Sequence, residues 1–196
     1  LSRTFAVANQ KGGVGKTTTS VNLAASLASY GKQVLLVDMD PQGNATMGCG
    51  VNKNSVETTM LDVLVGAVTT EAAMQRCESG DFDVLPANGD LTAAEVELLQ
   101  VKSKESRLRH ALARVKNRYD YIIIDCPPSL SMLTLNSLVA CDGVIVPMQC
   151  EYYALEGLSA LDNTIRKISQ FLNPKLRLEG ILRTMYDPRN SLTNEV

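Results

Sequence analysis

The sequence predicts an open α/β fold: a mostly parallel, twisted sheet with helices on both faces. Three observations predict it. Short apolar runs recur without the polar alternation of a half-solvated strand, as strands covered on both sides require. Helical patterns fall between those runs, so strand alternates with helix. The 196 residues, 45% hydrophobic and 20% charged, suffice for one sizeable core without disulfide or metal staples.

Taken in order, Phe5-Ala6-Val7-Ala8 is the first buried strand. Thr17 to Tyr30, rich in Ala and Leu, reads as a helix stopped by Gly31. Val34-Leu35-Leu36-Val37 is the second strand. Residues 41–80 are the least regular, with Pro41, Gly43, Gly48 and Gly50 ahead of a helical patch at 61–65. A glycine-rich segment directly after a strand suits a ligand-sensing loop. Val84-Leu85 reads as a further strand. Residues 104–118 read as a helix, with Leu108, Leu112 and Val115 on one stripe and Arg and Lys opposite. Ile122-Ile123-Ile124 and Val144-Ile145-Val146 are two more buried strands. From Leu155, the residues Leu158, Leu161, Ile165, Ile168 and Leu172 recur at helical spacing until Pro174. Leu178 to Leu182 reads as the last strand, and Ser191 or Thr193 as the cap of a final helical turn. There is no repeat, linker or second domain.

Composition excludes several classes. No apolar run approaches a membrane span, and the first residues carry neither Met nor an apolar export segment, so the ends read as trimmed. Five cysteines (Cys49, Cys77, Cys126, Cys141, Cys150) with no C-x-x-C spacing read as reduced thiols of a cytosolic protein. A net charge of −2 argues against coating nucleic acid by bulk charge. The charge is uneven, however: residues 102–118 net +6, residues 164–189 net +4, and the remainder −12. Either basic stretch is a solvated helix face or part of a patch. His110, the single histidine, reads as a surface residue, and no Ser-His-Asp group or Cys/His ligand set exists.

The first strand runs into Asn9-Gln10-Lys11-Gly12-Gly13-Val14-Gly15-Lys16-Thr17-Thr18, and a helix follows. This is a phosphate cradle. Glycines allow the tight path that turns N–H groups inward, and the helix N-terminus adds the positive end of its dipole. Lys16 supplies a point charge for β/γ-phosphates, and the Thr17 hydroxyl can ligate Mg²⁺. The strict pattern G-x-x-x-x-G-K-[ST] is not met: Gln10 stands where the first glycine belongs, and a second lysine, Lys11, precedes Gly12. Asp125 ends a buried strand, so its carboxylate emerges where such sheets bind ligands. Asp38 and Asp40 follow the second strand on alternate positions. Asp40, which opens the glycine-rich loop, is the better candidate to orient an attacking water, although Asp-Pro is also a common turn opening.

Lys11-Gly12-Gly13-Val14-Gly15-Lys16-Thr17 resembles the deviant Walker A motif of the ParA/MinD group of P-loop ATPases. Asp38-Met39-Asp40-Pro41-Gln42-Gly43-Asn44-Ala45-Thr46 resembles the group's switch I. Ile122-Ile123-Ile124-Asp125-Cys126-Pro127-Pro128-Ser129 resembles its Walker B and switch II. Gln149-Cys150-Glu151-Tyr152-Tyr153-Ala154-Leu155-Glu156-Gly157 and Thr184-Met185-Tyr186-Asp187-Pro188-Arg189 are similar to the chromosomal ParA (Soj) branch. The resemblance spans essentially the whole chain.

It implies one P-loop ATPase domain over residues 1–196, lacking the family's last strand and helix units. It implies ATP and Mg²⁺ as cofactors, with nucleotide binding by Lys11, Gly12, Gly13, Val14, Gly15, Lys16, Thr17 and Thr18. Thr17 and Asp125 would serve the metal, with Asp38 behind them. Lys11, Lys16 and Asp40 would be catalytic, Lys11 reaching a partner's nucleotide across a homodimer. Arg189 would contact DNA, with the 102–118 stretch as the rival surface. The function so implied is a cytoplasmic, nucleoid-associated switch. ATP closes the dimer, the dimer binds DNA without sequence preference, and a ParB-type partner triggers hydrolysis, with no membrane involved. A MinD-like membrane-associated ATPase for division-site placement is the alternative. An iron–sulfur reductase on the same loop would need a cysteine soon after switch II, and Pro127–Leu138 has none.

Overall fold

Leu35 and Val37 pack in one hydrophobic core, and Val34 and Leu36 in a second, because successive side chains leave opposite faces of a sheet. The computed structural model describes residues 2–151, 154–187 and 189. Its elements are β1 (Arg3–Val7), α1 (Lys16–Ser29), β2 (Val34–Asp38), α2 (Asn44–Gly48), α3 (Met60–Val65), α4 (Thr70–Ala73), β3 (Gln75–Cys77), β4 (Phe82–Leu85), α5 (Ala94–Glu97), α6 (Arg107–Ala113), β5 (Tyr121–Asp125), α7 (Met132–Ala140), β6 (Gly143–Gln149), α8 (Ala154–Phe171) and β7 (Arg177–Thr184). Short 3-10 turns occupy Gly89–Ala93, Leu98–Gln100, Lys104–Ser106 and Lys116–Arg118.

The strands form one sheet in the order β3-β4-β2-β5-β1-β6-β7. Every pairing is parallel except that of β3 with β4. Helices α1 and α2 close one face through Ala24, Ala28 and Ala45. The other face is closed by α3, α6, α7 and α8, through Leu64, Leu108, Leu138 and Ile165 among others. The open, mostly parallel sheet with helices on both faces is therefore the observed fold. All five cysteines are free and buried.

Besides the four-residue helices α4 and α5, three elements carry no clear sequence signal. Helix α7 buries Thr134, Asn136 and Ser137 together with Leu133, Leu138 and Val139, so no polar face marks a helical period. Strand β3 is a three-residue antiparallel edge with Gln75 and Arg76 exposed. Helix α2 lies inside the glycine-rich loop region. The helix expected over 104–118 is corrected: only Arg107–Ala113 is α-helical, flanked by 3-10 turns. The Asn136 carboxamide from α7 explains its late start, since its oxygen accepts from Leu108 N (3.1 Å) and its nitrogen donates to Lys104 O (2.8 Å). At the other end Val115 N turns back to Leu112 O (3.1 Å). The last strand is longer than Leu178–Leu182 and lies at the sheet edge with most of its side chains exposed. Tyr152, Tyr153 and the helical turn expected at 191–196 lie outside the described residues.

Three cations of the +6 stretch meet three different neighbours. Arg107 Nε donates to Leu64 O (2.7 Å), Arg109 donates to Leu172 O (3.3 Å), and Lys116 pairs with Asp142 (3.6 Å).

Candidate functional site

Strand register builds the site. Asp125 sits opposite Val7 of β1 and opposite Asp38 of β2. The loop leaving β1 therefore lies at the same carboxyl edge as two strand-end carboxylates, the edge where open α/β sheets bind ligands. Within that loop Gly13 (φ 72°) and Gly15 (φ 89°) adopt the left-handed backbone that only glycine takes without strain. Gly12 does not, and a Cβ added there would meet nothing within 4 Å.

Lys16 opens α1 with its side chain buried, and its ammonium donates to Lys11 O (2.8 Å). Burial lowers its pKa, against the pull of Asp125 and Asp40. Thr17 Oγ1 donates to Asp125 Oδ2 (2.8 Å), and Ser20 Oγ donates to Asp125 Oδ1 (2.8 Å). Asp125 is fully buried. Burial pushes its pKa up to about 6, even though both hydroxyls favour the ionised form.

Asp38 is also fully buried, and burial with the neighbouring Asp125 pushes its pKa up to about 7. It accepts from Asp40 N (3.1 Å), Thr46 N (2.9 Å) and Thr46 Oγ1 (2.7 Å), which fixes the 40–46 loop against the strand end. Asp40 accepts from Gln42 N through Oδ1 (2.9 Å), the bond of a turn-forming aspartate. Its other oxygen takes no hydrogen bond among the described residues. Turn-maker and free carboxylate oxygen coexist in one side chain.

A cavity of about 610 Å³ opens above these groups, lined by Gly12, Gly13, Gly15–Thr19, Asp40, Gln42, Asn44, Pro128, Thr184 and Met185. Of the residues singled out in the sequence, it gathers Gly12, Gly13, Gly15, Lys16, Thr17, Thr18 and Asp40. Asp125 lies beneath its floor, joined through Thr17, and Asp38 lies behind Asp125. Val14 is buried under the loop, and Lys11 stands outside the wall, ion-paired with Glu151. Arg189 is exposed and holds Asp187 through Nε (2.9 Å) and Nη2 (2.8 Å).

Sequence reasoning missed three contributors. Ser20 lies one helical turn after Lys16, a spacing that was open to inspection. Thr46 anchors Asp38, as above. Thr184 Oγ1 donates to Val14 O (2.8 Å), fastening the phosphate loop to the end of β7. No local pattern links residues that far apart.

An AAA domain family model (AAA_31) matches residues 2–178. The sporulation initiation inhibitor protein Soj of Bacillus subtilis is 54% identical over the whole chain, which spans 78% of it. The chromosome partitioning protein ParA of Myxococcus xanthus is 52% identical over the whole chain, which spans 69% of it. The chain belongs to the ParA/Soj family of ATPases. Among solved structures, a cobyrinic acid a,c-diamide synthase from Mycobacterium smegmatis, with bound ATP analogue and magnesium, superposes on this ParA/Soj-family chain with a TM-score of 0.96 at 45% identity. That match covers the full chain and 80% of the synthase chain.

The site of this family member fits a magnesium nucleotide. Mg²⁺ prefers hard oxygen ligands and retains waters and phosphate oxygens, so it needs only one or two protein groups. Thr17 and Asp125 offer such oxygens, and among the described residues no cluster of three His, Cys, Asp or Glu competes for a metal. Asp125, buried with two neutral hydroxyls as its direct partners, is a carboxylate that a cation would complete.

Proposed function

We propose that this chain is one ATPase domain of a partitioning switch. Two copies close face to face on ATP and Mg²⁺, the dimer holds DNA through phosphates without sequence preference, and a ParB-type partner stimulates hydrolysis and release. The observation that carries the reading is Gly12. Its backbone is not left-handed and an added Cβ would meet no protein atom within 4 Å, so neither backbone strain nor packing within the chain requires a glycine at the lip of the cavity. A second phosphate loop approaching that lip accounts for it.

In this reading the residues divide the work. The loop amides and Lys16 bind the phosphates. Thr17 and Asp125 would hold Mg²⁺, which when bound neutralises charge on the β- and γ-phosphates. Asp40 orients the attacking water through its free oxygen. Lys11 leaves Glu151 to reach the partner's nucleotide, in the manner of an arginine finger supplied in trans. Arg189 offers its guanidinium to DNA phosphate in exchange for Asp187. Among the described residues no helix is long and apolar enough to cross a membrane. The relatives named for partitioning are more similar in sequence than the diamide synthase, and an ATP–magnesium site serves either activity.

Gly12→Val tests the reading. It should bind ATP within about threefold of wild type, stay monomeric in sedimentation and fail to retain on random-sequence DNA. A Gly12→Val protein that dimerises on ATP as wild type does removes the face-to-face dimer. Retention on anionic vesicles in place of DNA would favour the MinD-like alternative.

A further inference from the structure

The stretch from Pro86 to Glu95 touches the 40–46 loop and the start of α7, which follows the 125–131 loop, and both loops border the cavity. At one end, Ala87 N donates to Thr46 Oγ1 (2.9 Å). A Cβ added at Gly43 would stand 2.6 Å from Ala87 O, so this backbone lies directly against the 40–46 loop. At the other end, the Glu95 carboxylate accepts from Met132 N (3.1 Å) and Leu133 N (3.3 Å). These are the first two amides of α7, the helix that opens as the 125–131 loop ends.

Ser131 supplies the second observation. It occupies the N-cap position of α7 with the extended backbone of a capping residue (φ −93°, ψ −177°). Yet its hydroxyl is buried and has no hydrogen-bond partner. Local rules assign the cap to Ser131, and the fold assigns it to a carboxylate from another segment. The helix thus has two caps within reach and uses the distant one.

We propose that Glu95 is a positioning residue for ATP turnover. Holding the first turn of α7 sets the path of the 125–131 loop, and the Ala87–Thr46 contact ties that path to the 40–46 loop. The proposal rests on the resemblance of residues 122–129 to Walker B and switch II, with the 125–131 loop taken as a segment that responds to the γ-phosphate. A carboxylate at a helix N-terminus gains from charge-assisted hydrogen bonds and from the helix dipole, so displacing the loop must either carry Glu95 along or release it. On release, the idle Ser131 hydroxyl takes over the cap and α7 survives. Glu95 does not line the cavity and acts only through α7.

A fluorophore on Leu130→Cys reads the loop, because Leu130 is exposed and the five native cysteines are buried. In the otherwise wild-type chain, MgATP and MgADP should give different emission. Glu95→Ala should keep ATP affinity within about threefold, lower kcat about tenfold with little change in KM, and abolish the emission difference. Glu95→Gln, which keeps an oxygen for one amide, should restore most of both. Wild-type kcat and an intact emission difference in Glu95→Ala would overturn the proposal. So would parallel losses of melting temperature and nucleotide affinity in both variants, since those mark a merely structural role. A wild-type reporter that cannot tell ATP from ADP refutes the reading of the loop itself, and the proposal with it.

Discussion

Lys11 and Glu151 form an ion pair within one chain, bridging the phosphate loop and the segment after β6. Just before Lys11, Asn9 Nδ2 donates to Pro147 O within β6 itself (2.8 Å). The lysine that distinguishes this loop from the ordinary pattern is thus engaged at home before any partner arrives. Both side chains are about half exposed, at 49% and 44%, so the pair is worth about 0.2–1 kcal/mol. That is small enough to exchange for a nucleotide phosphate.

Glu151→Gln should therefore favour the dimer. Each dimer gives up two such pairs, together worth about 0.4–2 kcal/mol, so removing them shifts the ATP-dependent monomer–dimer equilibrium by roughly 2- to 30-fold. Sedimentation equilibrium with a slowly hydrolysed ATP analogue measures it. A shift toward monomer would show that Glu151 serves the dimer and does not restrain Lys11.

Asp40 calls for two variants, because one oxygen makes the turn to Gln42 and the other is free. Asp40→Ala loses both, whereas Asp40→Asn keeps an oxygen for the turn and loses the charge. If Asp40 orients water, both should bind ATP within about threefold and lose turnover by about 10²-fold or more. Full activity in Asp40→Asn would reduce the residue to a turn-maker.

Thr46→Val probes the anchor of the 40–46 loop at nearly constant volume. The hydroxyl donates to Asp38 and accepts from Ala87 N, and both Thr46 and Ala87 are fully buried. Valine strands an amide and takes a donor from a buried carboxylate, so stability should fall by about 2–4 kcal/mol. The denaturant midpoint reports it. A loss below about 0.5 kcal/mol would mean that water enters and replaces both bonds.

Arg189→Ala should weaken retention on DNA and leave ATP-dependent dimerisation intact. It should also flatten the log–log salt dependence by about one unit for each DNA phosphate the arginine neutralises. Because Asp187 holds Arg189 in the free chain, Asp187→Asn should strengthen binding at low salt. The rival 102–118 surface is engaged differently: Arg107 and Arg109 each donate to a backbone carbonyl, Leu64 O and Leu172 O, whereas Arg189 is held by a carboxylate. Loss of DNA binding on neutralising Arg107, Arg109 and Arg114, with Arg189→Ala unaffected, would reverse that choice.

The sequence alone determined the alternation of strands and helices, the phosphate loop after β1 and the carboxylates at the ends of β2 and β5. Those follow from one-residue properties, burial and backbone permission, that apolar runs and glycines write directly into the chain. It left α7 unmarked, because a helix buried on nearly every side has no polar face to set a period. It also over-extended the helix at 104–118, whose first turn is interrupted by Asn136 from α7. Only the tertiary structure decided the pairings. Register set Asp38 beside Asp125, Glu95 displaced Ser131 as the cap of α7, Thr184 fastened Val14, and Glu151 met Lys11. Each is a contact between groups that compete for many partners in an unfolded chain. Which one wins depends on where sheet order and loop closure bring distant segments together, and no local pattern encodes that.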